Sequence, residues 1–89
     1  MKLGKIVMTR RISDLVSKNE KFSKDIIKAL GRYISKDWGE LCQDDKEAND
    51  LALKTNDRLL AAYNTVGGKI YIITEWDRSY TTILFPDEY

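Results

Sequence analysis

The 89-residue chain has no histidine, one cysteine and one proline. Without histidine, no side chain ordinarily titrates near neutrality, and the usual general base, the Ser-His and Cys-His nucleophile pairs and the commonest zinc ligand are all missing. Most familiar hydrolase mechanisms are thereby closed. The lone cysteine, Cys42, has no partner for an internal disulfide and gives no sign of an oxidising compartment. It is expected to be a small buried hydrophobe. Long apolar runs are also lacking, since no stretch approaches the roughly 20 residues that a membrane-spanning helix needs. The opening Met1-Lys2-Leu3-Gly4-Lys5-Ile6-Val7-Met8 meets Arg10 and Arg11 before it reaches the length of a signal sequence. A cytoplasmic protein with no membrane contact is the expectation.

The residues that are present argue for one folded domain, 1–89. Hydrophobic residues make up 43% and charged residues 33%, a balance that supports a modest core and separates the chain from disordered sequences. The net charge of +1 conceals a segregation. Residues 1–36 carry ten Lys and Arg against Asp14, Glu20 and Asp25, a net +7, and the rest carry five against eleven acids, a net −6. Such halves either attract one another across the fold or present two differently charged faces to partners.

Hydrophobic periodicity gives the elements. Residues 3–9 read as a short strand or extended arm. Ile12, Leu15 and Val16 follow at helical spacing, and Asn19 ends that helix. The clearest helix spans 20–36, with Phe22, Ile26, Ile27, Leu30, Tyr33 and Ile34 on one face and Lys24, Lys28, Arg32 and Lys36 on the other. Gly31 weakens it and suggests a close neighbour. Asp37-Trp38-Gly39 reads as its end, with Gly39 in the left-handed conformation. Asp44 and Glu47 have the spacing of a capping box, which predicts a helix over 45–54 with Ala48, Leu51 and Ala52 inward. Three strands follow, near 59–63, 70–74 and 80–85, linked by Gly67-Gly68 and by Asp77-Arg78-Ser79 and closed by Pro86. Short links favour antiparallel neighbours. The prediction is therefore an α+β fold: a strand or arm and two to three helices packed on a three-stranded antiparallel meander. An exposed edge of its last strand would be an open template for a second copy, so a homodimer is one expectation.

The charged segment Glu75-Trp76-Asp77-Arg78-Ser79 lies between two of these strands, with Thr81 and Thr82 close by. It reads either as a structural turn or as a partner-binding patch, in which an aromatic anchor, Trp76 or Trp38, is ringed by Glu75, Asp77 and Arg78. Glu75 and Asp77 alone are a thin cage for a hard cation, so metal-dependent activity is the minor alternative, and no catalytic residue, metal or cofactor is expected. The stripe Lys24, Lys28, Arg32 and Lys36 supports a nucleic-acid-binding alternative through phosphate contacts, against the plainer reading of a solvated helix face. The acidic run Asp37, Glu40, Asp44, Asp45, Glu47 and Asp50 could imitate a phosphate backbone, although mimicry by charge needs a strongly negative surface.

Three stretches, "DWGELCQDDKEANDLAL" (37–53), "RLLAAY" (58–63) and "KIYIITEWDRSYTTILFPDEY" (69–89), together resemble a family of small proteins of gut and environmental bacteria. That family is often encoded on plasmids, phages and integrative elements, and its members bear labels such as plasmid-related or restriction-associated. The resemblance runs from about Leu3 to Tyr89 and departs at Trp76, where the family more often has a small residue. It implies a genomic neighbourhood and supplies no mechanism. Together with the missing catalytic groups, it leads to the expectation of a non-enzymatic accessory protein of a mobile element. Such a protein would act by binding another protein, and antagonism of a host defence system is the most concrete form.

Overall fold

Thr9 and Asn19 decide where the first two helices begin. Each sits in extended backbone, and its side-chain oxygen accepts an amide of the first turn: Ile12 N–H at 3.4 Å for Thr9 and Phe22 N–H at 3.0 Å for Asn19. These are donors that a helix start leaves unpaired. The computed structural model describes residues 1–89. Its elements are β1 (Lys5–Met8), α1 (Arg10–Lys18), α2 (Glu20–Ile34), α3 (Gln43–Thr55), β2 (Leu59–Thr65), β3 (Gly68–Thr74) and β4 (Tyr80–Leu84), with a 3-10 turn at Pro86–Glu88. None of the helices is long and apolar enough to cross a membrane.

The α+β class holds, and the sheet gains a strand. β2, β3 and β4 form the expected antiparallel meander, while β1 joins β4 in parallel to give a mixed four-stranded sheet of order β1-β4-β3-β2. The last strand is therefore interior, and the open edge belongs to β1. Leu59, Ala61 and Tyr63 of β2, Ile70 and Ile72 of β3 and Ile83 of β4 share one sheet face and meet Ile12 of α1 and Phe22, Ile26, Ala29 and Tyr33 of α2 in a single core. The first hairpin turns at Val66-Gly67, with Gly68 at φ 104°, as its glycines led one to expect.

Several local expectations are corrected. The buried stripe of α2 is Phe22, Ile26, Ala29 and Tyr33, which leaves Ile27 and Ile34 exposed. The sheet covers a narrower arc than the apolar residues of the helix occupy. Gly31 faces open space, with no close neighbour. Gly39 does have the expected positive φ (77°), but it does not end the helix: Lys36 takes the left-handed position directly after it (φ 65°). Its N–H reaches Tyr33 O at 3.0 Å and that of Asp37 reaches Arg32 O at 2.9 Å, which together close the last turn. α3 begins at Gln43 with Cys42 as its N-cap and no side-chain cap bond, so the Asp44–Glu47 capping box does not form. Asp44 and Asp45 instead occupy the first turn, opposite the positive end of the helix dipole. Cys42 is exposed rather than buried. The residues α3 buries are Asn49 and Ala52; Leu51 and Ala48 face solvent.

Asn49 is buried because β2 has an outer edge to satisfy. Its side chain donates to Leu60 O at 2.7 Å and accepts Leu60 N–H at 3.2 Å, as a neighbouring strand would. One residue pair further along, Glu40 N–H donates to Ala62 O at 2.7 Å and Ala62 N–H to Trp38 O at 3.4 Å. The approach demands glycine at position 39: φ is 77°, and a Cβ there would lie 1.9 Å from Ala62 O. Leu60 and Ala62, the middle of the outer β2 edge, are thus taken and not offered to a further strand.

Inside the core a chain of hydroxyls ties the layers together. Thr81 Oγ1 donates to Leu3 O at 2.7 Å. With its one proton so used, Thr81 must accept from Thr74 Oγ1 at 2.8 Å, and Thr74 in turn must accept from the Tyr33 hydroxyl at 2.6 Å. Thr74→Val would leave the Tyr33 hydroxyl buried and unpaired, and is expected to cost about 1–3 kcal/mol in urea unfolding. Tyr33→Phe should cost less, and the double variant less than the sum. Burial pushes the Tyr33 phenol up from 10.0 to about 12. Between those values the unfolded phenol loses its proton and the folded one keeps it, so stability should be full below pH 10 and fall as pH rises towards 12. Comparing urea midpoints at about pH 8 and about pH 11 tests this, with a smaller drop expected for Tyr33→Phe.

Candidate functional site

The second hairpin turns through 75–78, closed by Arg78 N–H to Glu75 O at 2.9 Å, and re-enters the sheet through Glu75 N–H to Tyr80 O at 3.2 Å. Arg78 leaves the turn at φ 58°, a conformation that costs a non-glycine residue about 1–2 kcal/mol. Its guanidinium folds back under the turn. Nη1 donates to Asp57 O at 2.7 Å and Glu75 O at 3.0 Å, and Nη2 donates to Ala52 O at 3.2 Å. A fixed cation at the C-terminal carbonyls of α3 also complements that helix's dipole. Arg78 is therefore a staple between the hairpin, α3 and the start of β2.

Asp77 closes the other side of the turn. Its Oδ1 accepts the Ser79 hydroxyl at 2.7 Å and the Ser79 N–H at 3.0 Å, and these bonds, the hydroxyl's first, hold its carboxyl below the usual range. On the facing arm, Gly4 lies so close that a Cβ would sit 2.3 Å from Arg78 O. The tip is thus pinned from three sides, and what it presents is Trp76, which is 65% exposed.

The remaining predicted residues are dispersed. Trp38, the other proposed anchor, is 3% exposed: its ring packs edge-on against Tyr33 at 5.6 Å and its Nε1 donates to Asp50 at 2.9 Å, so it cannot anchor a partner. Thr81 is wholly buried in the hydroxyl chain. Thr82 points to the sheet face away from the core and joins Glu75 beside a shallow groove of about 400 Å³, floored by Ile73 and Leu84 and rimmed by Arg58, Glu88 and Tyr89. Arg58 donates to the Tyr89 hydroxyl at 2.7 Å and lies 3.9 Å from Glu75 Oε2. Arg58 and Tyr89 rim this groove, and neither was among the residues the sequence singled out. Strand alternation could have placed Ile73, Thr82 and Leu84 on one face, but no local signal brings Arg58 to it.

In the basic stripe, Lys24 lies 3.5 Å from Glu20, and Arg32 is held by Asp37 at 2.7 Å and Glu40 at 3.9 Å. The Arg32 guanidinium, helped by the Gly39 N–H, keeps the Asp37 carboxyl below its ordinary value. Lys28 and Lys36 are exposed with no ion pair. No group of three or more His, Cys, Asp or Glu side chains is positioned to hold a metal ion, and Glu75 and Asp77 each have a different neighbour. Comparison with models of known protein families, with characterised proteins and with solved structures finds no match.

Arg78→Ala is expected to destabilise the fold by about 1.5–3 kcal/mol, the range for a charge-assisted hydrogen-bond donor. Arg78→Lys should recover only part of this, because an ammonium cannot span carbonyls on three segments as the guanidinium fork does. Thermal melts of the two variants provide the comparison.

Proposed function

We propose that this chain is a non-catalytic binding protein that engages another protein through the tip of its second hairpin. Trp76 is the apolar centre of the contact, Glu75 and Asp77 supply its charged rim, and Arg78 holds the turn in position. The observation that carries this reading is the pairing of a largely exposed indole with a turn pinned by Arg78, Asp77 and the close approach of Gly4. A flexible surface tryptophan would lose conformational freedom on binding. A turn whose backbone is already held loses little of it, and tryptophans buried on binding are among the commonest centres of binding energy at interfaces.

The resemblance to proteins of plasmids, phages and integrative elements supports a narrower form of the reading: an accessory protein of a bacterial mobile element that occludes a surface of a host defence protein. Occlusion needs only a rigid domain and an anchor. Trp76 departs from that family's pattern, so the ring is not an element shared with it. The bidentate hold of Asp37 on Arg32 takes one of the four cations of the α2 stripe away from a nucleic-acid partner.

Affinity capture from the native host, with wild-type protein and Trp76→Ala run side by side, tests the proposal. A protein retained by the wild type and lost with the variant is expected, with affinity for the purified partner falling about 30-fold or more. Trp76 makes no hydrogen bond, so the variant should melt like the wild type. Equal capture by both would overturn the reading.

A further inference from the structure

The two edges of the sheet are treated differently. Asn49 and residues 38–40 cover the edge of β2, whereas nothing lies along the outer edge of β1. In β1 the N–H groups of Lys5 and, just beyond the strand, Thr9 point inward, bonding to Ser79 O and Ile83 O at 3.1 Å each. By strand alternation, Ile6 and Met8 therefore direct their N–H and C=O groups outward. Their side chains lie at the margin of the helical face and are 47% and 42% exposed. An unpaired strand edge flanked by exposed apolar side chains is a template for another strand.

We infer that the occupant is β1 of a second copy, paired antiparallel about a two-fold axis to continue the sheet through both subunits. Three observations select this occupant. First, with the β2 edge covered, one copy's β1 has no β2 edge to meet in another, so edge pairing between copies closes as a symmetric pair and cannot propagate as a filament. Second, the segment is self-complementary in one register. Centring the axis on Val7 sets Ile6 opposite Met8 of the second copy and Met8 opposite its Ile6, so every outward N–H and C=O of the strand finds its counterpart. Third, the charges agree with that register. Lys5 falls opposite Thr9 of the second copy rather than opposite another Lys5, and the Thr9 hydroxyl is bonded to the Glu88 carboxylate at 3.0 Å. Shifting the axis to Ile6 or Met8 would bring Met8 opposite Gly4 or Ile6 opposite Arg10, and the apolar match would be lost.

Two experiments test the inference together. Sedimentation across a concentration series is expected to show a monomer–dimer equilibrium, and the Ile6→Lys/Met8→Lys variant should weaken it about a hundredfold, since it places lysines opposite one another along the junction. Both side chains are already exposed, so a melt near that of the wild type should accompany the loss. In a Cys42→Ser background, Val7→Cys should form an intermolecular disulfide under mild oxidation, because facing residues at the axis lie about 4.5 Å apart between Cα atoms, within disulfide reach. Ile6→Cys, facing Met8 instead of itself, should cross-link far less. A protein that stays monomeric at every concentration would overturn the inference, as would a dimer indifferent to the lysines, or equal cross-linking at positions 6 and 7. The Trp76 experiment is independent of all three outcomes.

Discussion

The run of hydroxyls from Tyr33 through Thr74 and Thr81 to the Leu3 carbonyl is the constraint on which the arrangement of the layers depends. It joins α2, β3, β4 and the N-terminal arm at the place where the core would otherwise contain polar atoms without partners, and no buried side-chain nitrogen or oxygen in the protein lacks a hydrogen bond. Apolar packing alone is tolerant of small slips. A proton chain with one consistent direction is not, because sliding any member by one residue would orphan a donor or an acceptor in a low-dielectric interior. The parallel docking of β1 beside β4, which brings together the two ends of the chain, is thereby fixed in register.

Much of this was legible in the sequence, and the failures have physical causes. The helices over 20–36 and 45–54 and the three later strands follow from apolar periods of 3.6 and 2, a property each segment carries by itself. What no segment carries is how much of an apolar arc the rest of the protein will cover. Hence Ile27 and Ile34 match the α2 stripe in period but lie outside it, and on α3 Leu51 yields to Asn49, whose amide the bare edge of β2 requires. The pairing of β1 with β4 was not legible for the same reason: it joins residues 75 positions apart. At the hairpin tip the sequence offered two readings of one segment, turn or site. The structure shows the turn: Asp77, Arg78 and Ser79 make it, and Trp76 stands exposed at its tip.

The segregation of charge also takes a definite form. Contacts between the basic N-terminal part and the acidic remainder are few: Arg11 meets Asp87, and Arg32 meets Asp37 and Glu40. Pairs this exposed contribute little to stability, typically about 0–1 kcal/mol. Most of the segregated charge remains on the surface, positive on the outer faces of α1 and α2 and negative along the outer face of α3. Surface charge of this kind acts on what approaches a protein more than on its folding.

The hairpin tip and the β1 edge are neighbours, because Lys5 N–H bonds Ser79 O and Gly4 packs under Arg78 and Ser79. In a dimer with antiparallel β1 strands, this proximity has a geometric consequence. Each tip lies beside the start of its own β1, and the two starts point in opposite directions, so the Trp76 residues come to opposite ends of the joined sheet. Neither tip is covered by dimerisation, and both stand on one continuous sheet with no flexible linker between them. Such a body would present two copies of the proposed anchor at a fixed separation. It would bind a symmetric or repeating partner with an avidity that neither tip has alone, provided the partner's sites match that spacing.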